Sequence, residues 1–183
     1  MKVLLDTCVL YPTVMRQVLL GVAERGLFIP LWSDRILEEW ARAAIKLGPQ
    51  GEAQARAEIA QLRAAWPNAC VTWKPSLESR LWLPDPADIH VLAAAIAGSA
   101  DVLVTLNAKD FPRGTLAEEG LSRAAPDEFL MGFHAAHPGI LAEVAETVRA
   151  EAERLSGESW PMRDLMKKAR LPRLGKALAA PGH

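Results

Sequence analysis

The chain has 183 residues, half of them apolar and 23% charged, with a net charge of −1. That composition excludes a disordered polymer and a strongly basic nucleic-acid sleeve, and it suits one cored domain with an extension. The only cysteines, Cys8 and Cys70, stand in no metal-ligand spacing, so neither a disulfide framework nor a zinc site is expected.

In chain order, KVLL at 2–5 reads as a buried strand that ends at Asp6. Pro12 opens a helix whose apolar residues Val14, Val18, Leu19 and Val22 keep a helical period up to Gly26. LFIPL at 27–31 is a short strand, with Pro30 at an edge or end. Ser33 caps a helix containing Glu38, Glu39 and Trp40. An alanine-rich helix covers 52–66, and VTW at 71–73 reads as a third strand. Asp85 and Pro86 then begin a helix that runs to Gly98, and DVLVT at 101–105 is a fourth strand without alternation, as in a sheet covered on both faces. A last strand is expected at 121–124. From Pro126 onward the pattern is helical: 126–135, 139–156, and 161–179 with a break at Pro172. Strands alternating with helices predict an α/β fold with a parallel central sheet.

The N-terminal stretch meets Asp6 too soon for a signal peptide. No run approaches the roughly 18 apolar residues of a membrane span. A cytoplasmic protein with reduced thiols is expected, Cys8 being a small buried thiol.

Acids gather at the ends of these buried elements. Asp6 follows the first strand, and Asn107 and Asp110 follow the fourth. Asp85 and Asp88 begin the helix between, and Glu38 and Glu39 lie on the helix after the second strand. In an open parallel sheet, ligands bind beyond the carboxyl ends of the strands, where such positions converge. Several carboxylates in one crevice need protons or a cation, and hard oxygen donors select Mg²⁺ or Mn²⁺. Metal-assisted phosphodiester hydrolysis is the chemistry such a site serves. Each residue also has a structural role open to it. Asp85 suits an N-cap, Asp88 the helix dipole, and Asp110 an Asx turn, while one of Glu38 and Glu39 faces solvent. Asp6 is the exception, because an acid after a buried strand is costly without partners.

Three segments, VLLDTCVLYP, SDRILEEW and DPADIHVLAAAIAGSADVLVTLNAKDFP, resemble in order those of PIN-domain nucleases, in particular VapC-type toxins of toxin–antitoxin pairs. The likeness covers residues 1–131. It implies a three-layer α/β/α sandwich and a Mg²⁺- or Mn²⁺-dependent endoribonuclease site. It places the ligand acids on Asp6, Glu39 (Glu38 as fallback), Asp88 and Asp110, with Asn107 where an aspartate is frequent. Thr7 and Thr105 resemble supporting hydroxyl residues. Cys8 stands where the family often has asparagine. The partners implied are RNA, a cognate antitoxin that blocks the crevice, and a second copy in a homodimer.

Lys109, Arg16 and Arg42 are candidates for phosphate contact by position. Residues 132–183 read as a C-terminal helical extension. Its basic end either meets RNA or is a solvated face over packed Leu165, Leu171 and Leu174. A haloacid-dehalogenase-type phosphatase would need an aspartate where Cys8 stands. A receiver domain would need one after a middle strand, where Lys74 and Pro75 stand. The non-enzymatic rival is a PIN fold kept as a binding or scaffold module.

Overall fold

A computed structural model of the chain describes residues 1–180. In order, the elements are β1 (Lys2–Leu5), α1 (Thr7–Leu10), α2 (Thr13–Glu24), β2 (Ile29–Leu31), α3 (Asp34–Ala43), α4 (Pro49–Ala65), α5 (Pro75–Ser79), α6 (Ile89–Ala97), β3 (Val102–Val104), α7 (Arg113–Glu118), β4 (Ser122–Ala124), α8 (Pro126–Ala136), α9 (Pro138–Ser156), α10 (Met162–Lys168) and α11 (Pro172–Leu178). They form two compact units. Met1–Tyr11 with Ile29–Ala124 make the first, and Pro12–Phe28 with the residues from Ala125 onward make the second. This division does not follow a single cut at residue 131, because α2 leaves the N-terminal part of the chain to join the C-terminal helices.

The first unit is built on a parallel sheet in the order β2-β1-β3-β4, flanked by helices. Leu4 stands opposite Leu31 on one side and Leu103 on the other, and Val104 stands opposite Ala124. Val3, Leu4, Leu5, Leu103 and Val104 have no exposed surface, so the unbroken apolar runs answer to burial on both faces. The chain proceeds from β1 to one side of the sheet and later to the other, so the order reverses between β1 and β3. Their carboxyl ends therefore bound a crevice at the switch point.

Residues 71–73 are not a strand. Only Cys70 bridges the sheet, opposite Trp32, and the Trp73 indole turns to donate to Glu78 at 2.8 Å. Pro75 begins α5 so soon that no partner ladder develops. No described helix is long and apolar enough to cross a membrane.

In the second unit, Phe28, Phe129 and Phe133 pack with ring centroids 5.0 to 5.9 Å apart. Gly21 lets α2 and α9 approach, since a Cβ there would lie 2.6 Å from Val144 Cγ1. The helix break falls before Pro172. Arg170 adopts φ 61° in the turn between α10 and α11, and Pro172 is the first residue of α11. Asp127 of α8 is buried, and its two oxygens accept the backbone N–H groups of Arg173 and Leu174 at 2.9 and 3.0 Å. It thus caps a helix far away in sequence. Asp127→Ala is expected to cost about 2 kcal/mol, the scale of a lost charged cap that leaves two N–H groups without an acceptor. Urea denaturation checks this, and a loss below the error of the method would show the cap to be dispensable.

Candidate metal centre

Asp6 is the hub of the crevice. It leaves β1 with extended backbone and caps α1, its Oδ1 accepting the Thr7 N–H at 2.7 Å. Its Oδ2 accepts the Thr105 hydroxyl at 2.7 Å and the Cys8 thiol at 3.2 Å. At 7% exposure, a carboxylate needs all three donors. Burial, and then the Asp6 charge, push the Cys8 thiol up to about 12. It therefore keeps its proton and remains a donor, while its sulfur accepts the Leu106 N–H at 3.2 Å. Thr105 Oγ1 in turn accepts the Asn107 N–H at 3.0 Å. These bonds tie the end of β1 to the end of β3.

Ser33 caps α3 by accepting the Ile36 N–H at 3.2 Å, which sets the helix phase. Two adjacent acids then part company. Glu38 pairs with Arg56 and Arg42, at 2.9 and 3.1 Å, and these guanidinium groups hold its carboxyl down at about 2. Glu39 Oε2 accepts the Thr7 hydroxyl at 2.9 Å, a proton shared with the Ile36 carbonyl at 3.2 Å. Its Oε1 lies 2.7 Å from His90 Nε2. That approach has the distance of an ion pair without the direction of a hydrogen bond, and neither nitrogen of the ring has a well-directed partner. Burial raises the Glu39 carboxyl, but His90, Thr7 and Arg35 outweigh it and leave it below the ordinary range.

Asp85 Oδ1 accepts the Ala87 N–H at 2.9 Å, so the capping role is real. Its carboxylate also lies with those of Asp88 and Asp110, one oxygen of each within 4.8 Å of the others. The Asn107 amide donates to Asp110 Oδ2 and, at 3.5 Å, to Asp88 Oδ2. Burial and the negative charges of Asp6, Asp85, Asp110 and Glu39, in that order, raise the Asp88 carboxyl from 3.8 to about 6. A half-buried acid held against ionisation by four others marks where positive charge is missing.

Residues 2–109, more than half of the chain, match the family described as PIN domain. The chain belongs to the PIN-domain family. No match was found among curated proteins or among solved structures. PIN domains are typically metal-dependent nucleases, and the acidic cluster of this one is a possible metal site. The donor set fits such a cation. It is all carboxylate oxygen, it lies at the switch point of the sheet, and its crowded negative charge holds Asp88 against ionisation. Asp85, Asp88 and Asp110 would hold the ion, with Asp6 adjoining and Glu39 tied to Thr7 and His90.

The remaining candidates of this PIN domain fall in different places. Thr7 and Thr105 support Glu39 and Asp6. Lys109 is exposed on the turn that carries Asp110. Arg42 is exposed but occupied by Glu38. Arg16 belongs to the second unit and is 6% exposed, too buried for the phosphate contact its position suggests. His90 gives little sign of itself in the sequence, since a lone histidine in IHVLAAAIA looks like core. Its one signal is its place two residues after Asp88.

His90→Leu, which keeps the bulk and removes the ring nitrogens, is expected to weaken Mn²⁺ binding by up to about tenfold, the low end for an outer-shell partner, because it acts through Glu39 beside the cluster. His90→Gln, able to donate toward Glu39, should recover part of the loss. Equal Mn²⁺ affinity in all three proteins would make His90 a packing residue.

Proposed function

We propose that this PIN domain is a metal-dependent endoribonuclease and the toxin component of a type II toxin–antitoxin pair of the VapC kind. The observation that carries the nuclease reading is the raised Asp88 carboxyl among Asp6, Asp85, Asp110 and Glu39 at the carboxyl ends of β1 and β3. A family of typical nucleases and an all-oxygen donor set support it further. The choice of RNA, and the toxin role, rest on the order and spacing of the three motifs, which resemble those of VapC-type toxins.

In this reading Mg²⁺ or Mn²⁺ is the cofactor, and when bound it supplies Lewis acidity toward a phosphate oxygen and acidifies water. The chain does the rest. Asp85, Asp88 and Asp110 hold the ion. Asn107 fixes Asp110, and Thr105 and Cys8 fix Asp6. Glu39 is held through Thr7 and His90 beside the cluster. Lys109, on the rim, meets a phosphate of the substrate. The antitoxin would block the acidic crevice with a cationic side chain, an arginine being suited to bidentate pairing. A homodimer in the cytoplasm is part of the same proposal.

The test is direct. The protein, freed of any antitoxin, is incubated with total cellular RNA in Mg²⁺, Mn²⁺ or EDTA, and new 5′ ends are mapped. Discrete cuts that need metal and vanish in Asp6→Asn establish the reading and reveal the substrate. A protein that neither cuts nor binds Mn²⁺ is a binding or scaffold module instead.

A further inference from the structure

Among residues 160–180, six cations (Arg163, Lys167, Lys168, Arg170, Arg173 and Lys176) stand against one acid, Asp164. That is a local charge of +5, six minus one, in a chain whose total is −1. The six lie on the hairpin of α10 and α11. The hairpin is rigid for its size. The Leu171 N–H donates to the Met166 carbonyl at 2.8 Å, closing the turn at Arg170. Gly175 lets α11 press on α10, since a Cβ there would lie 2.7 Å from Met166 Cβ and 3.2 Å from the Arg163 carbonyl.

The apolar residues of the hairpin point inward: Leu165 is 4% exposed, and Met166, Leu171 and Leu174 have no exposed surface. All six cations are exposed, Arg170 at the turn among them. None of them pairs with an acid among the described residues. Elsewhere most surface arginines are neutralised. Arg25, Arg56, Arg63, Arg80, Arg149 and Arg154 each hold a carboxylate within 2.9 Å. Lys168 is further placed by the Trp160 ring, its Nζ 4.5 Å from the centroid.

Six like charges on a short hairpin repel one another, and near-neutral folds disperse such charge unless an anion meets it. With Leu165, Met166, Leu171 and Leu174 buried and, of its larger apolar side chains, only Met162 and Leu178 partly open, the surface offers few anchors for a protein–protein interface. The first N–H groups of α11 are already taken by Asp127, so an incoming anion meets side chains alone. We propose that the α10–α11 hairpin is an electrostatic docking surface for the phosphate backbone of RNA. The choice of RNA rests on the endoribonuclease reading, while the surface itself rests on its unpaired charge. It binds by counterion release and reads no sequence.

The test compares the full-length protein with an Arg163→Gln/Lys167→Gln/Lys176→Gln variant, whose changes are all exposed. Fluorescence anisotropy of a labelled single-stranded RNA is read in EDTA over a series of salt concentrations. The wild type is expected to lose affinity steeply with salt. Each phosphate contact contributes about 0.7 to the slope of log K against log salt, so the variant should be shallower by about 2 and at least about tenfold weaker. Equal melting temperatures show that the variant folds. Unchanged affinity and slope, or no RNA binding by the wild type, overturn the proposal. Equal binding of a labelled polyglutamate also overturns it, in favour of an acidic peptide partner. Because binding is read without metal, the two readings fail separately. RNA held through the hairpin but never cut sinks the nuclease, and RNA cut with the same KM by the variant sinks the hairpin.

Discussion

Asp6→Asn is expected to reduce metal-dependent RNA cleavage by well over about a hundredfold while leaving the fold intact. Loss of an outer-shell partner of a metal costs about ten- to a hundredfold, and Asp6→Asn removes a full negative charge beside the cluster as well. The substitution removes charge and keeps shape. Asparagine is as good an N-cap as aspartate, so its oxygen still accepts the Thr7 N–H that Asp6 Oδ1 accepts at 2.7 Å. Its amide then faces Thr105 and Cys8, which donate to Oδ2 in the wild type. The Thr105 hydroxyl can rotate and accept instead. The link between β1 and β3 survives in reversed polarity, and the missing quantity is one negative charge at the edge of the cluster. Two measurements separate the outcomes. Mn²⁺ affinity should fall with cleavage, and the melting temperature should stay within a few degrees. A variant that cuts RNA at the wild-type rate would remove Asp6 from the metal centre and leave it a capping residue.

Why the sequence discloses Asp6 and conceals His90 is a matter of contrast. An acid that ends an apolar strand is conspicuous because burial makes it costly. The same contrast marks Asp88, Asn107 and Asp110 around the second apolar block. The unbroken runs also point to a parallel sheet, since strands covered on both faces need no alternation. A histidine inside IHVLAAAIA gives no contrast, because its meaning lies in Glu39, brought in from another helix. Glu38 and Glu39 are one choice in the sequence. What separates them is the helix phase set by Ser33 and the arrival of Arg56 from α4 to claim Glu38.

Where sequence and structure part, the cause is shared as well. VTW has strand-forming residues, but a strand exists only where a partner ladder is free, and here the chain keeps one bridge at Cys70. No local pattern in α2 says that it clusters with helices more than a hundred residues later, because that choice is made by contacts such as Gly21 against Val144. Local propensity is a good guide to elements and a poor one to their company.

The same crevice predicts a protein that is more stable without its function. Asp88→Asn is expected to raise the melting temperature of the metal-free protein and to abolish its response to metal. The sign follows from the raised carboxyl. In the unfolded chain Asp88 ionises near 3.8, and in the folded protein near 6. Below 3.8 it is protonated in both states, and folding carries no penalty. Between 3.8 and about 6 the unfolded chain loses its proton first, so stability falls as pH rises. Above that window the full penalty stands. A carboxyl raised that far would, fully shielded from water, oppose folding by about 3 kcal/mol. Solvent around a half-buried group screens much of it, so about 1 kcal/mol is the expected net gain for the variant at neutral pH. For a chain of this length that is about 2–4 °C. The gain should vanish in acid, where the wild-type carboxyl is neutral as well. Saturating Mg²⁺ or Mn²⁺ should reverse the order, because a cation bound only by the folded wild type stabilises it by mass action, whereas the variant has lost a ligand. Thermal melts of both proteins in EDTA and in Mn²⁺, across the pH window, give all four comparisons. A metal-free variant that melts below the wild type at neutral pH would mean that the Asp88 carboxylate is held by donors, not opposed by its neighbours, and the cluster would then have no use for a cation.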